Sequence, residues 1–314
     1  MEKPLISIIL PTYNVAAHIE RCLNSCLNQE FTNYEIIIVD DCCTDNSIEI
    51  ASSFAFKDSR IKIVKHEKNL GTYHARKTGT YSAKGNFILY LDPDDELTNK
   101  SLTTFSELIK KYPYLDLLLF NFEIIPSVRF WNVKPTVPCG VFKEKISHEI
   151  LKENRLTYGT PGKLYSKKSA IKGFDCLSVG ENIRLVYGED ALIFSAILLN
   201  ANFAVGVSDV LYLYYQNETS ITMTKGDSAI FDRIQQLELV IFHLNELKNK
   251  CQMPSSVEVF INRMEVDKLK LFKKVVKTNF DYLNVMFKIV LKGKSFIDIV
   301  RVFIFLLTLT NKKM

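Results

Sequence analysis

The sequence has little of what announces several protein classes. Its seven cysteines, at 22, 26, 42, 43, 139, 176 and 251, contain no paired CxxC spacing, so neither a disulfide framework nor a structural zinc site is expected. No secretory leader precedes the first apolar run, and a reducing cytosol is the expected setting. Five histidines show no ligand spacing and read as ordinary surface or partly packed side chains. Internal repeats and low-complexity tracts are missing. With 47% hydrophobic and 24% charged residues, disordered and collagen-like classes are excluded.

What remains is a chain of 314 residues, enough for one large domain or two modest ones. Its formal charge of +5 is unevenly spread. Residues 261–314 carry twelve Lys/Arg against four Asp/Glu, a surplus of eight that leaves the rest of the chain three net negative.

Apolar, β-branched runs at 5–11, 34–40, 61–66 and 85–92 predict strands, and periodic segments between them predict helices. Further strands are expected at 116–125 and 203–215, a Lys-bearing strand after "GTPGK", and a helix opened by Glu189 and Asp190, while "VPCGVFKEK" reads as a turn region. From about 226 the chain reads as helical. Strands alternating with helices imply an α/β fold with a mainly parallel sheet covered on both faces.

In such sheets ligands sit beyond the carboxyl ends of the strands. The polar clusters "PTYN", "DDCCTD" and "DPDDE" fall there. Carboxylates gathered at a strand tip repel one another, and the natural partner is a hard divalent cation, Mn2+ or Mg2+, held together with substrate phosphates. That role suits Asp92 and Asp94. Asp95 and Glu96 are better read as helix-opening residues. A calcium loop does not fit, because no suitably placed glycine follows.

The segments "SIILPTYNVAAHIERCLNSCLNQ", "YEIIIVDDCCTDNS", "NLGTYHARKTG", "GNFILYLDPDDEL", "GKLYSKK" and "YGEDALIF" together resemble a family 2 glycosyltransferase of the GT-A fold, in the family's order and over roughly residues 5–222. The resemblance implies a Rossmann-like, mainly parallel central sheet and a C-terminal helical extension. It implies a catalytic domain at 1–225, divided into a nucleotide-binding half (1–115) and an acceptor-side half (116–225), followed by a helical basic region at 226–314. It further implies a nucleotide pocket at Pro11, Thr12, Tyr13 and Asn14, with Asp41 accepting from the base. Gly71 and Arg76 would lie along the diphosphate, Asp94 would bind the metal, and Asp92 would contact ribose or metal. Asp190 would be the general base, Glu189 would orient an acceptor hydroxyl, and Lys163 would be an acceptor-side or phosphate contact. The implied chemistry is inverting transfer from a nucleotide-diphosphate sugar to a glycan or lipid-linked acceptor. Departures from the family pattern are Cys43 for Ser, Lys77 for Asn and Tyr215 for Arg.

No QxxRW element is present, so single additions are expected rather than processive synthesis. A sugar nucleotidyltransferase would carry a glycine-rich, basic loop after the first strand, which "PTYNVAAH" is not. A silent binding protein with the same fold is the rival from another class. The apolar window "FIDIVRVFIFLLTLT" (296–310) is too short and too interrupted to span a membrane. A basic amphipathic tail resting on an anionic membrane face and a packed helical subdomain are equally good readings of it. Nucleic acid is not an expected partner, because no recognised motif accompanies the charge.

Overall fold

The computed structural model describes residues 3–126, 137–151, 156–159, 161–217, 226–275, 284–285 and 288–289. The chain divides into two compact units, Met1–Ser220 and Ile221–Met314; the sequence had suggested a division at 225/226. In the first unit the order is β1 (Ile6–Thr12), α1 (Ile19–Leu27), β2 (Tyr34–Asp40), α2 (Ser47–Lys57), β3 (Ile61–Lys65), α3 (Thr72–Ser82), β4 (Phe87–Tyr90) and β5 (Glu96–Leu97). There follow α4 (Ser101–Lys111), β6 (Leu117–Ile125), β7 (Gly140–Phe142), α5 (Ile146–Leu151), β8 (Lys163–Ser166), α6 (Lys167–Asp175), α7 (Glu189–Leu199) and β9 (Ala204–Tyr215).

Among the described residues nine strands join one sheet, in the order β3-β2-β1-β4-β8-β6-β9-β5, with β7 on β9. The first four are parallel, with Ile8 opposite Ile36 on one side and Leu89 on the other. The sheet then becomes mixed, because β8 runs antiparallel to both β4 and β6. Two further corrections apply to the sequence reading. The "VPCGVFKEK" turn region contains β7, antiparallel to β9. Glu96 lies in β5 and α4 begins only at Ser101, with Lys100 at its N-cap position, so neither Asp95 nor Glu96 opens that helix.

Period-two alternation explains how one apolar run serves two faces. Ile6, Ile8 and Leu10 of β1 join Ile36, Ile38 and Leu89 in the core cluster that also takes Ile19, Cys22, Leu23 and Cys26 of α1. Those four α1 positions recur at helical spacing, which makes the two cysteines core side chains. On the other face Ile9 and Val39 approach Gly79 of α3. Burying each such aliphatic side chain contributes about 1.5–3 kcal/mol, and the doubly covered strands collect that gain twice per pair of residues.

The chain runs outward from β1 through β2 to β3, then returns to place β4 on β1's other side. That reversal opens a crevice at the carboxyl ends of β1 and β4, where such sheets bind ligands. In the second unit, α8 (Asp227–Lys250) buries Ile230, Ile234, Leu237, Ile241 and Leu244, and α9 (Pro254–Val275) buries Val257, Ile261 and Met264. This spacing gives each helix one apolar stripe. The window 296–310 lies outside the described residues.

Helix α6 meets α7 through Gly173, where a Cβ would sit 2.7 Å from Ile197 Cγ1 and 2.9 Å from its backbone nitrogen. The backbone cannot yield as a side-chain tip would. Gly173→Ala should therefore destabilise the chain by about 1–3 kcal/mol in urea titration, even though alanine is the better helix former by about 1 kcal/mol. Equal or higher stability would show that the two helices slide apart freely.

Candidate active site

The four parallel strands deliver polar residues to one edge of the sheet. At the end of β1, Thr12 is fully buried; its hydroxyl donates to the Leu10 carbonyl at 3.0 Å and its own carbonyl accepts from Asp41 N at 2.9 Å. Pro11 is half-buried, whereas Tyr13 keeps 43% of its surface exposed. Asn14 adopts a left-handed φ of 51°, a conformation its short polar side chain tolerates. Its side-chain carbonyl accepts from Thr44 N at 2.8 Å and its amide donates to Thr44 Oγ1 at 3.0 Å, tying together the loops after β1 and β2.

Asp41, the residue expected to read the base, is held by the protein itself. Only 3% exposed, its Oδ1 accepts from Leu70 N at 2.8 Å and pairs with His66 Nδ1 at 2.7 Å, while Oδ2 accepts from Gly71 N at 2.8 Å. Both oxygens are committed to the turn before α3. Gly71 has φ 87° and no room for a side chain, since a Cβ would lie 2.8 Å from the Leu185 carbonyl and 2.9 Å from Val186 Cγ1. It permits a close approach to its own chain at Leu185 and Val186. His66, read from sequence as ordinary, bridges Asp41 to Thr78 Oγ1, 2.8 Å from its Nε2. Its position just beyond β3 was the available signal.

Arg76 is also held by the protein itself. The guanidinium is 3% exposed and faces three carboxylates: Asp92 Oδ1 at 2.8 Å, Glu189 Oε1 at 3.0 Å, and Asp190. These come from the tip of β4 and the first turn of α7. Its Nη1 and Nη2 both engage these carboxylates, and its buried Nε has no hydrogen-bond partner. Burial opposes its charge, but Asp190, Asp92 and Glu189 prevail and hold it firmly protonated. Burial raises Glu189 to about 8, reinforced by Asp190 and opposed by Arg76, which favours its protonated form. Burial also raises Asp92 against the pull of Arg76.

Lys163, expected as an acceptor-side or phosphate contact, is 1% exposed. Its ammonium donates to the Gly159 carbonyl at 2.5 Å and the Pro161 carbonyl at 3.2 Å and lies 4.8 Å from the Phe194 ring centroid. Burial pulls it down to about 7, with Asp190 opposing.

The "DPDD" turn is built from both sides. Asp95, fully buried, accepts from Tyr212 Oη at 2.6 Å and Tyr215 N at 2.8 Å, while Asp92 N donates to Tyr212 Oη at 3.3 Å. The turn is thereby pinned to β9. Asp94 Oδ2 accepts from Asn217 Nδ2 at 2.8 Å. Tyr212 and Asn217 gave no sequence signal, because nothing local says that β9 passes this turn.

Among the described residues no group of three or more His, Cys, Asp or Glu could cage a metal. A hard cation that binds through one or two carboxylates and substrate phosphates asks for less. Asp94 fits that donor set, and Asp92 retains one oxygen not engaged by Arg76.

A switch-point crevice in a mixed sheet, rimmed by carboxylates on the β4 tip and the start of α7, defines a glycosyltransferase of the GT-A type. Residues 7–174 match the family model for glycosyl transferase family 2. More than half of the chain is covered, and the chain belongs to that family. It is 29% identical over 273 residues to the uncharacterized glycosyltransferase EpsJ of Bacillus subtilis, covering 85% of this chain and 77% of that one. It is 28% identical over 262 residues to the poly(ribitol-phosphate) beta-N-acetylglucosaminyltransferase TarS of Staphylococcus aureus, covering 82% of this chain but only 44% of TarS. In fold it matches S. aureus TarS residues 1–349 in complex with UDP-GlcNAc, with a TM-score of 0.65, 22% identity, and coverage of 92% of this chain and 81% of that one.

The buried amine provides a pH test. An unfolded lysine keeps its proton to about pH 10.4, whereas folded Lys163 releases it near 7. The unfolded chain thus binds more protons between those values, and stability rises with pH across that window. The wild type should gain on the order of 1–3 kcal/mol relative to Lys163→Met from pH 7 to 9.5. Parallel profiles in chemical denaturation would show that the amine stays charged in the fold.

Proposed function

We propose that this glycosyltransferase moves a hexosyl or N-acetylhexosaminyl group, with inversion, from a nucleotide-diphosphate donor to a hydroxyl of a glycan or lipid-linked acceptor in bacterial surface polysaccharide synthesis. The observation that carries the reading is the single guanidinium of Arg76, which joins Asp92 on the donor side to Glu189 and Asp190 on the other. Support for the donor class comes from the names of similar structures. TarS was solved with UDP-GlcNAc, and a mannosyltransferase of Pyrobaculum calidifontis, with a TM-score of 0.54 and 14% identity over 97% of this chain and 85% of its own, was solved with GDP-Man and Mn2+.

In this reading Asp190 takes the acceptor hydroxyl's proton while that oxygen bonds to the anomeric carbon and the carbon–oxygen bond to the diphosphate breaks. Glu189, whose protonated form is favoured by burial, presents an O–H that can orient the acceptor. Pro11, Thr12, Tyr13 and Asn14 line the donor pocket through backbone groups and the exposed Tyr13 ring. Asp94, with Asp92, would hold Mn2+ or Mg2+, which would supply charge against the diphosphate leaving group. The cytosolic face of a membrane is the proposed setting, with the basic tail as its peripheral contact. No described helix is long and apolar enough to cross a membrane.

Two substitutions test the assignment with full-length protein. Asp190→Asn should lower transfer by about 10²–10⁴-fold while leaving nucleotide binding intact, and Asp94→Ala should abolish the metal dependence of donor hydrolysis. Transfer retained in the first would move the base elsewhere. Equal, metal-independent turnover in the second would remove the metal from Asp94. Thermal shift across a panel of nucleotide sugars identifies the donor.

A further inference from the structure

The "DPDD" turn is also gripped from outside the crevice by one side chain of α1. Arg21 Nη2 donates to the Asp94 carbonyl oxygen at 2.5 Å, and its Nε lies 2.8 Å from Glu96 Oε1. The guanidinium carbon sits 3.7 Å from the centroid of the Tyr215 ring. These contacts bracket Asp94. One falls on its own backbone, one on the strand residue two positions later, and one on the end of β9, from which Asn217 reaches back to Asp94 Oδ2 at 2.8 Å. Tyr215 is itself tied to the turn, since its backbone nitrogen donates to Asp95 Oδ1 at 2.8 Å.

We infer that Arg21 is a positioning residue for Asp94: it fixes the backbone beneath that carboxylate and, through Tyr215, holds the strand end whose Asn217 amide aims it. The inference rests on the proposed reading of Asp94 as a cation ligand. Arg21 does not touch the reacting atoms. Its side chain is 38% exposed, so the ion pair to Glu96 adds little stability by itself. The value lies in geometry. A planar guanidinium donates from its edge while its face rests on an aromatic ring, and an ammonium cannot do both. A carboxylate that must meet a small cation at about 2.0–2.1 Å tolerates little displacement of the backbone that carries it.

Mn2+ binding to full-length protein in the presence of UDP, followed by the electron paramagnetic resonance signal of free Mn2+, tests this. Partners that orient a metal ligand typically contribute about 10–100-fold in affinity, so Arg21→Ala should weaken Mn2+ binding about tenfold. Arg21→Lys, which keeps the charge and should fold if alanine does not, should lose nearly as much, and Tyr215→Leu should follow it. UDP binding without metal should be unchanged in all three. Wild-type Mn2+ affinity in folded Arg21→Lys and Tyr215→Leu overturns the inference, as does an equal loss of metal-free UDP binding, which would mark general damage. Asp94→Ala separates the two levels. If it too binds Mn2+ normally, the reading of Asp94 as a ligand falls and takes the inference with it; if it alone loses Mn2+, only the role of Arg21 falls.

Discussion

A guanidinium buried among three carboxylates is the constraint on which the rest of the site depends. Arg76 comes from α3, Asp92 from the turn after β4, and Glu189 and Asp190 from the first turn of α7. Arg76 is only 3% exposed, and leaving a charge so buried unpaired would cost several kcal/mol. The three elements are therefore held to one relative placement, whatever is bound. Packing reinforces it: Gly79 lets α3 lie on β1 and β2, and Gly173 lets α6 lie on α7. Asp41, at the start of α3, holds the turn that launches the helix. The acidic residues of the two proposed half-sites thus share one cation fixed by the fold.

The other polar residues at the strand tips also serve one another first. Thr12, Asn14 and Thr44 join two loops, His66 joins three segments, and Asp95 with Tyr212 joins the "DPDD" turn to β9. Such internal saturation is what holds catalytic groups still before substrate arrives, so that little reorganisation accompanies reaction. It also sorts the acidic residues. Asp41 and Asp95 are spent on structure, whereas Asp94 sits on the rim with a single protein partner at its carboxylate.

The parallel half of the sheet was legible because each of its strands is a short apolar run closed by a polar turn, and because the loops at its edge carry the chemistry. β7 and β5 were not, since three and two residues carry no period to detect. The direction of β8 was hidden as well, since a four-residue strand carries no signal of which way it runs. Among the site residues, the sequence pointed to these segments but did not reveal the protein partners of Arg76, Asp41 and Lys163. An arginine on an exposed helix and one buried against carboxylates are the same letter at the same spacing. Only the fold, which carries residues 113 and 114 positions apart to one point, decides between them. Arg21 and Asn217 were invisible for the same reason: each acts across the sheet on a turn far away in sequence.

The charge balance of the cluster points outward. Arg76 contributes one positive charge. Asp92, Asp94 and Asp190 are its formal acidic counterparts, while burial raises Glu189 and Asp95 to about 8 and so opposes their ionisation. Lys163, at about 7, is pulled toward neutrality by its own burial and offsets only part of the surplus. Were Glu189 and Asp95 ionised too, the turn and the start of α7 would repel each other across a poorly solvated gap. With their ionisation opposed by burial, the acidic surplus falls to Asp92, Asp94 and Asp190, of which Asp92 and Asp190 pair with Arg76 and Asp94 does not. Burial thus confines the unbalanced charge to the rim, where a cation arriving with a diphosphate would meet it.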